Sequence, residues 1–224
     1  MTTRKRRPTR DSISRPRNNI GRFPRRNMLI VCEGEKTEPN YFDDVRRYFH
    51  VQREFCIVIG RCGDPRSVVQ RAKREKIAAE SIDEPFDEIW VVFDRDDVAG
   101  VENAIQMARD NDFNVAFSNP CFELWYLLHF RDQTAHLNQQ AAKRAMRQCI
   151  EGYRESQAGL YEEYFRDREN RAIARAEKLR ARYDDELKWS GRNPFTTVDL
   201  LVIAIAESYG PAPASPSPCV AEDY

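Results

Sequence analysis

No apolar run in this chain approaches the roughly 20 residues that a membrane-spanning helix requires. The basic N-terminus also lacks the apolar stretch of a secretory leader. Both absences point to a soluble protein of the cytoplasm. The six cysteines, at positions 32, 56, 62, 121, 149 and 219, form no Cys-x-x-Cys pair, and the three histidines, at 50, 129 and 136, do not cluster with them. Free thiols in a reducing compartment are therefore expected in place of a zinc or disulfide framework. No internal repeat is visible. Net charge is missing as well, since 36 Lys and Arg balance 36 Asp and Glu. That balance hides an asymmetry: residues 1–27 carry ten bases and one acid, Asp11, which leaves 26 bases against 35 acids in the remainder. A basic arm on an acidic body suits a nucleic-acid contact. It equally suits a disordered tail that keeps the protein soluble or docks on its own body.

What is present is enough apolar material, 41% of 224 residues with 11% aromatic, for one sizeable domain or one domain with an elaborate tail. Met28 to Cys32 is a short apolar run that predicts a buried strand. A polar turn, Glu33 to Glu38, follows, and Pro39 suits the first position of a helix over 39–50 with Tyr41, Phe42, Val45, Tyr48 and Phe49 on its apolar face. Phe55 to Ile59 predicts a second strand, and Asp64-Pro65 a capped helix running to about Glu80. Residues 88–93 predict a third strand, Val98–Asn111 a helix, Phe113–Phe117 a fourth strand, and Cys121–Phe130 an apolar helix after the break at Ser118-Asn119-Pro120. Continuous apolar strands joined by helices argue for an α/β fold with a parallel sheet covered on both faces. Residues 138–185, rich in Ala, Arg, Glu and Gln, predict two or three surface helices. Asn193 to Thr197 leads into a last helix with Val198, Leu201, Val202 and Ile205 as its apolar face and Thr196 or Thr197 as its cap. The organisation expected is a basic disordered arm over 1–27, an α/β domain over 28–135, a helical extension over 136–209 that packs on it, and a Pro- and Ser-rich disordered tail over 210–224.

Parallel strands with helical crossovers line up their C-terminal ends along one edge. That edge collects Glu33, Asp94, Asp96, Asp97, Ser118 and Asn119. Carboxylates this close repel, and the pair Asp94 and Asp96, faced by Glu33, suits a hard cation that relieves the repulsion and keeps open positions for water and phosphate. Mg²⁺ or Mn²⁺ is therefore the expected cofactor, with Asp97 as a further ligand and metal-assisted attack on a phosphodiester as the chemistry that follows. The alternative is that these acids are ordinary loop-end residues, Asp97 in particular capping the helix that begins near Val98.

Four motifs in order, "MLIVCEGEKTEPNYF", "VVFDRDD", "AFSNPCFELWYLLHF" and "NPFTTVDLL", resemble the RloB family over about residues 28–205. That is a bacterial group related to the AbiLii phage-abortive-infection proteins. The first two motifs are also similar to the two signatures of the Toprim domain, a glutamate-glycine after the first strand and Asp-x-Asp after the third. The resemblance implies that Glu33 acts in acid/base chemistry or holds metal, and that Asp94 and Asp96 bind magnesium. It further implies a Toprim-like sheet, a role in anti-phage defence and an ABC-type ATPase partner. The zinc ribbon of the primases and a separate topoisomerase-like domain with a clear tyrosine nucleophile have no counterpart here, so Toprim nucleases are the better analogy.

Accessory candidates surround this edge. Glu38 either accepts N–H bonds at a helix start or joins a second metal. Lys36 meets a phosphate or balances Glu35. Asn119 donates to a phosphate or orients a water, and Ser118 contacts phosphate or caps the next helix. Glu123, one turn inside that helix, is a ligand or acid/base group or lies on an exposed face. Arg61 and Arg66 offer guanidinium forks to phosphate, or stabilise the loop by ion pairing. His129 is read as a structural histidine, and the arginines of 142–182 as a solvated face, a nucleic-acid groove or a docking face. Three functions stand at this stage: a metal-dependent nuclease acting on DNA or RNA, a non-catalytic sensor or regulatory subunit binding nucleic acid, nucleotide or a phage component, and a small-molecule nucleotide phosphohydrolase or phosphotransferase.

Overall fold

A computed structural model of the chain describes residues 26–95 and 100–209. Residues 1–25 of the basic arm, residues 96–99 with Asp96 and Asp97, and the C-terminal tail lie outside the described residues. The elements run β1 (Met28–Cys32), α1 (Thr37–Tyr48), β2 (Cys56–Ile59), α2 (Pro65–Ser81), β3 (Glu88–Asp94), α3 (Val101–Arg109), β4 (Asn114–Asn119), α4 (Glu123–Phe130), α5 (Gln139–Cys149), α6 (Glu169–Arg180), β5 (Phe195–Thr196) and α7 (Val198–Tyr209). The fold is mixed α/β. Five strands form one sheet in the order β2-β1-β3-β4-β5. The first four are parallel, and β5 pairs antiparallel to β4 through Ser118–Thr196 and Asn119–Phe195.

The strands read as continuous apolar runs because both faces of the sheet are covered. Leu29, Val31, Ile89, Val91, Phe93, Val115 and Phe117 pack with the inner faces of α2 and α3. Their alternates, Met28, Ile30, Cys32, Trp90, Val92 and Ala116, join a larger core built from α1, α4, α5, α6 and α7. In that layer α4 packs between α5 and α6, which is why Leu124 to His129 are all buried. The alanine-rich helices are not simply surface elements. Ala142, Ala145 and Met146 of α5, and Ala172, Ala176 and Leu179 of α6, are buried. Small side chains let these helix backbones approach α4 closely, while Arg144, Arg147, Arg171, Glu177 and Lys178 stay exposed.

Several boundaries differ from the sequence expectation. Helix α1 starts at Thr37, so Pro39 is its third residue, which is still within the turn where a missing N–H costs nothing. Helix α3 begins at Val101 behind Gly100, whose φ of 110° is open to glycine. Strand β4 continues through Ser118 and Asn119, and the segment before the last helix forms β5. The Asp64-Pro65 cap is present, with Asp64 Oδ1 accepting from Ser67 N at 3.1 Å. Among the described residues, no helix is long and apolar enough to cross a membrane.

Glu169, at the first turn of α6, accepts a 2.5 Å hydrogen bond from the Tyr161 hydroxyl. Burial raises its carboxyl from 4.5 to about 7. Folding therefore takes up a proton between those values. This group's contribution is fully present below about pH 4.5 and is lost as pH rises through about 7. Glu169→Gln keeps an acceptor for Tyr161 and removes the titration. The variant is expected to gain on the wild type in urea midpoint across that window and to hold a constant advantage above it.

Candidate functional site

The strand order places a topological switch point between β1 and β3. From β1 the chain crosses to β2 on one side, and from β3 it crosses to β4 on the other. In such sheets a crevice opens outside the C-terminal ends of the two central strands, where the connections diverge. Here those ends carry Glu33 and Asp94. Cys32 pairs in register with Val92, and the Glu33 N–H continues the ladder to the Val92 carbonyl at 2.9 Å. The backbone N–H of Asp94 then donates to Glu33 Oε2 at 3.3 Å. Asp94 Oδ2 in turn accepts from Phe122 N at 3.0 Å, at the entrance to α4. Residues 61 positions apart are thus joined, and both carboxylates are held by backbone donors that fix their orientation.

The turn after Glu33 is shaped by close approach. A Cβ on Gly34 would lie 2.2 Å from Glu38 Oε2, so the Glu38 carboxylate lies directly over this glycine. A Cβ on Gly60 would lie 2.7 Å from the Gly34 carbonyl oxygen. The Cys62 and Gly63 N–H groups both donate to the Glu33 carbonyl, at 3.1 and 3.2 Å. The loops after β1 and β2 are therefore locked together beneath the edge.

A second acidic tier lies behind the first. Glu38 and Glu123 are both buried, at 6% and 4% exposure. Glu123 is the first residue of α4, not one turn inside it, and the helix starts without a side-chain cap. The Tyr153 hydroxyl donates to Glu123 Oε1 at 3.4 Å. The segment carrying Tyr153 is tied to the start of α1, where Thr37 Oγ1 donates to the Glu155 carbonyl at 2.5 Å and Asn40 Nδ2 to the Ser156 carbonyl at 3.1 Å. Lys143 of α5 pairs with Glu155 at 3.0 Å. The helical extension thus reaches the site's rim through Tyr153, Glu155 and Lys143, none of which carries a motif or spacing that would mark it. Burial, and then the Glu123 and Asp94 carboxylates, push the Cys121 thiol up, and burial followed by Glu38 does the same for Cys32. Burial thus disfavours the thiolate of both cysteines.

The other candidates divide. Arg66 is exposed in the first turn of α2 and lines a cleft of about 470 Å³ with Asp64, Gly100 and Asn103. Arg61 is paired with Glu35 at 2.6 Å in an exposed contact of small energetic weight. Lys36 is exposed and precedes α1. Ser118 is buried, and its hydroxyl shares a 3.1 Å hydrogen bond with Thr196 Oγ1. Asn119 is fully buried; its amide donates to the carbonyls of Ser190 and Arg192 at 3.2 and 2.5 Å, and its oxygen accepts from Asn193 Nδ2 at 3.0 Å. These two side chains are spent on fastening β5 and the loop before it. Asn119→Ala is expected to destabilise the fold by about 1–3 kcal/mol, since it leaves buried carbonyls unsatisfied, with the loss read from urea unfolding. His129 is buried, with Nδ1 3.0 Å from the Trp125 carbonyl. Burial lowers it to about 3, which makes it a neutral structural residue at physiological pH.

Among the described residues, no group of three His, Cys, Asp or Glu side chains is placed to hold a metal ion. Glu33 and Asp94 supply a pair, while Asp96 and Asp97 lie outside the described residues. Glu33 and Asp94 offer hard oxygen donors of the kind a magnesium-like ion takes from protein; both side chains are half-buried, and Asp94 Oδ1 is shielded from solvent.

The model of the family described as RloB-like protein matches residues 28–205. The chain belongs to the RloB-like family. The match runs from the first residue of β1 into α7, so it takes in the sheet, the carboxylate edge and the helices that cover them. No curated protein matches this RloB-like chain.

Proposed function

We propose that this RloB-like protein is a metal-dependent nuclease of the Toprim type. The observation that supports it best is the meeting of Glu33 and Asp94 at the switch point of the sheet. In this reading Glu33 and Asp94, joined by Asp96 and Asp97, hold Mg²⁺ or Mn²⁺. Such an ion, when bound, polarises a phosphodiester and lowers the pKa of water. Glu33, oriented by the Asp94 N–H, is the proton acceptor for the attacking water or shares the ion. Asp94 is presented in one orientation by the Phe122 N–H. Arg66, beside the α2–α3 cleft, meets a flanking phosphate. The wider role is effector activity in anti-phage defence, alongside an ABC-type ATPase and in kinship with the AbiLii proteins.

The test is incubation of the purified protein with labelled DNA and RNA, with and without Mg²⁺ or Mn²⁺ and with and without the ATPase. Cleavage that needs the metal and disappears in Asp94→Asn is the expected result. Cleavage unchanged in that variant would remove the site assignment. No cleavage in any combination would remove the nuclease reading.

A further inference from the structure

A second cleft, also about 470 Å³, opens next to the carboxylate edge on the side away from α2. Its floor is Pro120 and Leu137, both buried, and its walls include Arg95, His136, Gln139 and Gln140. Arg95 directly follows Asp94, and its N–H donates to the Ser118 carbonyl at 2.9 Å, so the cleft begins where the carboxylates end. The amides of Asn119 and Asn193 form its rigid back. Asn193 joins Asn119 at 3.0 Å and clamps Leu137 from both sides, with Oδ1 accepting from its N–H and Nδ2 donating to its carbonyl, each at 2.9 Å. Among the described residues, the side chains of Arg95, His136, Gln139 and Gln140 are not spent on internal hydrogen bonds or ion pairs.

The lining decides the ligand class. It holds no carboxylate, so a cation is not its occupant. It has one guanidinium, too little positive charge for an anion alone. Two carboxamides and an imidazole offer paired donors and acceptors over an apolar floor, which is the complement of a nucleobase edge and face. The volume is of the size that takes a nucleotide-sized ligand. We propose that this cleft binds one nucleobase, with the attached phosphate on Arg95, and so sets which nucleotide lies beside Asp94. As a determinant of cleavage position this rests on the nuclease reading, whereas base binding stands apart from it. A base buried here cannot remain stacked in a duplex, so a polymer occupant is single-stranded or locally opened.

The chain has only three histidines, so the His136 imidazole can be followed by NMR, its signal assigned by loss in His136→Ala. The four nucleoside 5′-monophosphates, ribose 5-phosphate and short single-stranded homopolymers are titrated in without divalent metal. The expected result is a saturable shift of the His136 signal that differs among the bases and is absent with ribose 5-phosphate. Gln140→Ala should weaken the preferred nucleotide about tenfold, the size of one lost paired contact to a base. Saturation by both homopolymer and monophosphate identifies a polymer nucleotide as the occupant; saturation by monophosphate alone identifies a free one. An equal response to ribose 5-phosphate, or no response to any nucleotide, overturns the proposal. Because metal is absent, a His136 response in a protein that never cleaves keeps this pocket and rejects the nuclease reading.

Discussion

Glu33→Gln is expected to slow metal-dependent cleavage on the order of 10²–10⁴-fold, the range lost with a positioned acid/base group. The isosteric amide keeps an oxygen that accepts from Asp94 N, so the local backbone and the urea midpoint should stay close to wild type. The loss should appear in kcat, with substrate affinity measured in chelator little changed, because the carboxylate's charge and basicity are removed and the cleft is left intact. A loss of affinity with unaltered kcat would instead make Glu33 a substrate contact. An unchanged rate would remove it from the chemistry.

The largest stability effect is expected at the other side of the sheet. Asp199 of α7 is wholly buried and forms an ion pair with Arg180 of α6, whose Nη1 also donates to the Thr196 carbonyl at 3.1 Å. Burial raises the Asp199 carboxyl, and Arg180 opposes that shift. Arg180→Ala leaves a buried charge without its partner, which costs about 3–5 kcal/mol. Replacing both partners, as in Arg180→Met with Asp199→Leu, should cost much less, since no charge is then stranded. In Arg180→Ala the folded-state carboxyl rises further. Its protonated form is therefore favoured on folding, and the deficit should shrink as pH falls. Denaturant unfolding of the three proteins at neutral and acidic pH reads both statements. The consequence for the site is indirect: Thr196 holds Ser118, and β5 closes the sheet beside Asn119.

The parallel core was legible because its signals are local. Met28–Cys32 and Glu88–Phe93 are apolar runs of strand length, and Asp64-Pro65 marks a helix start whatever surrounds it. The meeting of Glu33 with Asp94 follows from those strands plus the rule for crossover connections. What escaped depended on distant partners. Ser118 and Asn119 look like a break because they are polar, yet they extend β4; their side chains find partners more than 70 residues away. β5 is a strand of two residues, too short to carry any periodicity. The alanine faces of α5 and α6 resemble solvated helices until α4 is packed against them. Glu123 opens its helix with no capping side chain before it, so no sequence signal marks that start. The contribution of Tyr153, Glu155 and Lys143 depends wholly on how the extension folds back on α1 and α4.

The edge bearing Glu33 and Asp94 is proposed to hold a divalent cation. The most direct test is manganese binding, followed by the loss of the free-ion EPR signal on titration into wild type and Asp94→Asn of equal stability. The account predicts a saturable site in the wild type, displaced by Mg²⁺, and absent or at least about tenfold weaker in the variant. Wild type and variant that bind manganese equally, or a wild type with no saturable site, would contradict it.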